Sequence, residues 1–315
     1  MNGFYRTIFK TAWRTTWRLK YLWFFGVFVA LTSSGGEYDI ITNNFAKITD
    51  LENGLQNLKV TMPQDFWSTI WHNLSAMFTT YISSSLLIFL VSLVILTIFI
   101  YLITVSQTAL ISASFRFRRG EKFTFIEGFI LGTKFFWPIF VLNLWAKIFI
   151  YGFLVLFCLP LILVYITTGN FLWLGLASLL AFLIYIPFNI FVSFLLRYAS
   201  AYIVLKGQRV KQAVKSSFSL FRKNWLVTFE NAIILFLLSF VVLYIIIAVL
   251  SFANLPFTSA GYTIFTVITI LVSAVIATFQ FSAWTNIFVD LNEGRGIAKI
   301  IRLFRRKPGV ESTEE

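Results

Sequence analysis

Any chemistry in this chain would have to come from a few polar groups set into apolar stretches. Lys147 lies about 18 Å along a helix that starts at Phe135, at 1.5 Å per residue, which is near the middle of a bilayer. Asn143 stands one turn before it. Ionisable groups at such depth are costly, so one reading is a buried cation that meets a substrate headgroup or a moving anion. The other is a lysine paired with a neighbouring helix, or one that snorkels to the interface. Arg197 and Glu230 fall at similar depths on successive helices and read as a structural pair. Gln280 ends a stripe formed by Thr266, Thr269, Ser273 and Ala277, and Thr97, Tyr101, Thr104 and Thr108 form a second. Small and hydroxyl residues let helices approach and bond across, so both stripes read as packing seams before pathways.

Catalysis and metal binding find less support. His72 is the one histidine, and neither a nucleophile elbow of the Gly-x-Ser-x-Gly type nor a carboxylate-rich metal spacing accompanies it. Glu37, Asp39, Asp50, Glu52 and Asp65 offer at most a loose cation site, and scattered loop acids are ordinarily just solvated. Cys158 is the only cysteine, which excludes an internal disulfide framework and a multi-cysteine metal site. No cofactor and no enzyme activity are expected.

The elements that must position these groups are membrane helices. Hydrophobic residues make up 58% of the chain, charged residues 12%, and the mean hydropathy is +0.82. Soluble domains carry about a quarter charged residues. The expected fold is therefore all-α, a single polytopic transmembrane bundle over residues 1–315. A basic amphipathic stretch at 1–20 comes first, with Phe4, Ile8, Phe9, Ala12, Trp13 and Trp17 on one side. Arg6, Lys10, Arg14 and Arg18 repeat every four residues. The first apolar span, Tyr21–Leu31, is well short of the roughly 20 residues that cross a bilayer unaided. A signal peptide competes for it, because small residues follow at Thr32–Gly36. The long, helix-patterned basic segment ahead of it favours an uncleaved helix. Later spans read as Tyr81–Ala113, Phe135–Ile166, Phe171–Val204, Leu226–Phe252 and Tyr262–Val289. Pro138, Pro160 and Pro187 are candidate kinks.

Residues 33–80 form the one long polar connection. Ile48, Leu51, Leu55 and Leu58 suggest a small amphipathic helix there, and Thr61-Met62-Pro63 suggests a helix start. From Phe66 the apolar spacing runs without a breaker into the second span. Asn73-Leu74-Ser75 matches a glycosylation sequon, but its helical setting argues against use.

Charge sets the orientation. Bases crowd 1–20, 114–134, 206–223 and the 295–315 tail, whereas 33–80 holds Lys47 and Lys59 against five carboxylates. The positive-inside rule then places both termini and both basic loops in the cytoplasm, with 33–80 outside. Six crossings, arranged as antiparallel hairpins, satisfy every loop. The net charge of +13 sits at helix ends, so the expected partner is the phospholipid bilayer, with anionic lipid at the cytoplasmic face, and no nucleic acid. Between Val210 and Trp225 an interfacial helix is expected, its apolar side holding Val214, Phe218 and Phe221. Arg209, Lys211, Lys215 and Arg222, with Lys299 and Arg302 in the tail, are candidate headgroup contacts.

Gly120 precedes Trp137 and Gly207 precedes Trp225 at nearly equal separations, and Gly294 opens a third basic stretch. This suggests three units of interfacial helix plus hairpin, although basic loops beside any membrane share the pattern. The run Arg197-Tyr198-Ala199, Gly207, Ala213, Ser216-Ser217, Leu220 and Asn224-Trp225 resembles a segment of bacterial six-helix membrane proteins. These include the membrane domain of glycerophosphoryl diester phosphodiesterase and its uncharacterised relatives. The opening Trp13-Arg14-x-x-Trp17 and Lys20-Tyr21-Leu22-Trp23-Phe24-Phe25-Gly26 are similar to theirs as well. The resemblance implies a fold and a bacterial cytoplasmic membrane. In the named enzyme, hydrolysis belongs to a separate soluble barrel, and no stretch here is long enough for one. Two functions stand: a non-catalytic scaffold or partner protein that binds anionic lipid, and a transporter or lipid-handling protein built around Lys147.

Overall fold

The computed structural model describes residues 4–36, 66–168, 171–252 and 259–294, and these are helical nearly throughout, with no strand among them. The helices are α1 (Phe4–Arg18), α2 (Leu22–Gly36), α3 (Phe66–Arg118), α4 (Phe125–Lys134), α5 (Phe136–Thr168), α6 (Phe171–Lys206), α7 (Val210–Lys223), α8 (Trp225–Phe252) and α9 (Ser259–Asn292). Five of them are long and apolar enough to cross a membrane, over Ile88–Arg118, Phe136–Phe157, Leu179–Lys206, Trp225–Ile246 and Thr263–Asn292. α2, at 15 residues, is shorter. The expected amphipathic helix around Ile48–Leu58, the start at Thr61–Pro63, and the tail with Lys299 and Arg302 lie outside the described residues.

The chain forms two compact units, one of Leu31–Ile103 and one of Met1–Ala30 with Thr104–Glu315. In the smaller unit every residue from Ile88 to Ile100 is exposed. The hydroxyls of Ser92 and Thr97 there donate to carbonyls of their own helix, at Phe89 and Leu93. α3 needs no partner to satisfy them.

The larger unit is organised around the ends of three long helices. Residues 108–114 of α3, 198–204 of α6 and 282–288 of α9 are buried on every side. Small residues recur in each run (Ala109, Ala113, Ala199, Ala201, Ala283), so neighbouring backbones approach closely. Each run ends shortly before a glycine in the left-handed region: Gly120 at φ 76°, Gly207 at φ 62° and Gly294 at φ 74°. At Gly120 the amide donates to Phe117 O, and the next amide, Glu121 N, reaches back to Arg116 O, which closes the helix and reverses the chain.

After two of these turns the chain doubles back as a short helix. α4 begins with a capping box: Thr124 Oγ1 accepts from Glu127 N, and Glu127 Oε2 accepts from Thr124 N. It then lays Gly128 against Ala109 and Gly132 against Val105 of α3. α7 lays Phe221 against Phe191 and Phe194 of α6, and buries Ala213, Ser217 and Leu220. α1 occupies the corresponding place on α9, with Phe9 and Trp13 on Phe279. In all three pairs the contact lies about three to four turns back from the end of the long helix. A brief break, at Phe135 and at Asn224, then leads into the next long helix.

In α1, Ile8, Ala12, Thr15 and Thr16 go inward, while Trp13 and Trp17 stay exposed beside the cations. α7 likewise leaves Val214 and Phe218 exposed, and Trp225 at the start of α8 is exposed too. The helices run without a break through Pro160 and Pro187, and Pro138 falls in the first turn of α5, where its missing N–H costs nothing.

Burial thins away from these helix ends, although Tyr185 is buried and Phe153 stacks on Phe188 at 3.9 Å. α5 buries Ile139, Leu142 and Ala146, but no described side chain from Lys147 to Phe157 is buried. In α8 burial stops at Leu235, and in α9 no described side chain from Thr263 to Ser273 is buried.

Candidate functional site: polar seams and unpaired cations

The expected intramembrane polar residues make several contacts between helices. Asn143 donates to Gln107 Oε1 at 2.8 Å, which joins α5 to α3. Gln280 donates to Ser239 Oγ at 2.8 Å, which joins α9 to α8. Glu230 accepts from the Tyr5 hydroxyl at 2.5 Å, which joins α8 to α1. Arg197 lays its guanidinium over the Trp284 ring, 5.0 Å from the centroid. Lys147 is exposed, next to exposed Trp145, Ile148 and Phe149, and makes no ion pair or hydrogen bond among the described residues. Its side chain points out of the packed core.

A polar ladder that the stripe reading missed runs along α9 at four-residue spacing: Thr278, Ser282, Asn286 and Asp290, all at most 8% exposed. Thr278 Oγ1 donates to Ala274 O at 2.8 Å, and Ser282 Oγ meets Ser114 Oγ at 2.7 Å. Asp290 takes the Arg118 guanidinium at 2.5 and 3.2 Å, and Asn286 O accepts from the same group at 2.9 Å. The signal is present in the sequence as polar residues every fourth position, beyond the span edge placed at Val289. The amides of Asn231 and Asn286 are fully buried and bond no other described residue. Tyr198 OH meets Thr228 Oγ1 at 2.7 Å, closing α6 on α8.

The ionic partners are unevenly shared. Arg116 faces Glu127 at 3.5 Å and Glu121 at 3.9 Å, and Arg118 holds Asp290. The cations of α1 (Arg6, Lys10, Arg14, Arg18) and those at α7 (Arg209, Lys211, Lys215, Arg222) are exposed and form no ion pair among the described residues. Tyr21, between α1 and α2, donates to Phe123 O at 2.5 Å. Burial first, and the Glu127 carboxylate second, hold its phenol above the ordinary tyrosine range.

His72 lies within α3. No group of three His, Cys, Asp or Glu side chains comes together among the described residues. No family model matches the chain, and neither a curated protein nor a solved structure does.

Proposed function

We propose that this is a non-catalytic integral membrane protein that crosses the bilayer six times, in three antiparallel hairpins, and holds anionic phospholipid at its cytoplasmic face as a scaffold for a protein partner. α2 would make the sixth crossing beside the five longer helices. Kinship with the six-helix membrane proteins belongs to the same proposal and rests on the Gly207 turn and the Asn224–Trp225 break. The supporting observation is the set of exposed cations on α1 and α7 that form no ion pair among the described residues. Each helix commits its small residues to the bundle and leaves Lys and Arg outside with large apolar side chains. A basic group near an anionic leaflet is stabilised by about 1 kcal/mol. In an amphipathic helix the apolar neighbours add insertion into the headgroup boundary. The exposed Lys147 and the closed Asn143–Gln107 bond lend the transport reading no support.

The test is lipid retention. The protein is purified in mild detergent from a mixture of phosphatidylglycerol and phosphatidylcholine, and bound lipid is counted by native mass spectrometry. The anionic lipid should be enriched over its share of the mixture, and substitution of Lys211, Lys215 and Arg222 by Gln should reduce that enrichment. Equal retention of both lipids would refute the reading.

A further inference from the structure

We infer that α1 carries a discrete site for one anionic phospholipid, in which Lys10 and Arg14 take the phosphate while Trp13 and Trp17 donate indole N–H groups to it and wall its glycerol. The inference rests on the lipid-binding reading above and names one site within it. At 100° per residue, Arg6, Lys10, Trp13, Arg14 and Trp17 share a sector about 100° wide, so cations and tryptophans interleave instead of segregating. Lys10 and Arg14 are neighbours at i, i+4, as are Trp13 and Trp17, and each Trp lies three residues from a cation. Trp13 is 55% exposed and Trp17 42%, and neither indole N–H has a partner among the described residues.

The face is held in place from behind. Ile8, Ala12, Thr15 and Thr16 are buried. The hydroxyls of Thr11, Thr15 and Thr16 are satisfied by carbonyls one turn back, so they leave the inner face without further demands. The Tyr5–Glu230 bond holds one end, and Trp23 Nε1 donates to Thr16 O at 3.0 Å at the other. α1 is thus fixed against rotation before any ligand arrives, which lowers the ordering cost of binding. Trp13, Trp17 and Trp23 form a continuous aromatic path, with centroids 5.5 and 5.4 Å apart. Trp23 has spent its N–H and so presents only a ring. Beyond it Phe24, 48% exposed, offers an apolar surface for an acyl chain. Indoles with one wet and one apolar end settle at this depth of a bilayer. The four unneutralised cations of α1 select an anionic headgroup. α7 has cations but no such Trp pair, so its attraction to lipid is diffuse.

The experiment uses the full-length protein in nanodiscs with phosphatidylglycerol carrying brominated chains, which quench nearby tryptophans. Three variants accompany it: Trp13→Phe with Trp17→Phe, Lys10→Gln with Arg14→Gln, and the α7 triple Lys211→Gln, Lys215→Gln, Arg222→Gln. Wild type and the α7 triple should each retain one phosphatidylglycerol that survives delipidation. The Lys10/Arg14 pair should weaken its retention about thirtyfold. The Trp pair, which keeps an aromatic ring at each position but loses the indole N–H and part of its surface, should also lose affinity. If the α1 variants retain lipid like wild type while the α7 triple does not, this site is wrong and the broader lipid reading survives. If wild type retains none, both fall. Tryptophan emission that responds to soluble poly-glutamate and not to brominated phosphatidylglycerol would overturn the site and assign the face to an acidic protein segment.

Discussion

The Arg118 guanidinium grips both carboxylate oxygens of Asp290, and so ties the end of α3 to the end of α9. Their side chains are 24% and 11% exposed, between the surface case, where a pair contributes little, and the buried case, where a widowed charge is costly. Removal of one partner, by Asp290→Asn or Arg118→Met, should destabilise by about 2 kcal/mol. Replacing both with apolar residues (Arg118→Met with Asp290→Leu) should return most of that, because no lone charge is left. Chemical unfolding in detergent of the three variants measures the difference. Single variants that unfold with wild type would show the contact to be idle.

Two glycines stand where backbones touch. A Cβ on Gly26 would run into the Ala274 carbonyl oxygen and Thr278 Oγ1, and one on Gly132 into Val105. Gly152 has open space around it. Gly26→Ala and Gly132→Ala should therefore cost about 1–3 kcal/mol, as overpacked contacts do. Gly152→Ala should be neutral or gain up to about 1 kcal/mol, from helix propensity alone. The ordering of the three in one thermal unfolding series is the check, and equal effects would mean that α2 and α4 do not approach so closely.

Much of this arrangement is legible in the sequence. Apolar runs mark helices close to where α5, α6 and α8 lie, and the glycines at 120 and 207 mark the two described reversals. What escapes are choices made by tertiary packing. In α1 the polar Thr15 and Thr16 are buried along with Ile8 and Ala12, a choice that apolar periodicity alone does not show. Hydropathy ends the last span at Val289, before the acidic Asp290, yet α9 continues to Asn292. Asp290 is tolerated inside because Arg118, 172 positions away, neutralises it, and no local pattern can show such a partner. Lys147 draws attention by its depth, but depth does not say which way a side chain faces.

The left-handed glycines supply a separate test. Gly120 and Gly207 have open space where a Cβ would stand, so substitution there is strained only through the backbone. Ala at either site should cost about 1–2 kcal/mol. Asn, which tolerates that region, should cost less. If Ala and Asn are equally mild, the turns relax easily and do not fix the return of α4 and α7.

Tyr21 gives the chain an alkaline limit. Its hydroxyl must keep its proton to donate to Phe123 O, and burial with Glu127 nearby raises its pKa above the ordinary value of 10.0. A group whose folded pKa is raised contributes stability that is complete below the unfolded value and fades as the pH climbs through the folded one. Wild type should therefore be more stable than Tyr21→Phe by about 1 kcal/mol from neutral pH to about pH 10, the usual net contribution of one hydrogen bond. Above that the gap should close, because the phenolate can no longer donate and faces Glu127, while Arg116 remains engaged with that same carboxylate. Unfolding free energies of the two proteins, taken in steps across the alkaline range, decide it. A gap that stays constant there would mean that the Tyr21 proton does not hold α2 to the turn before α4.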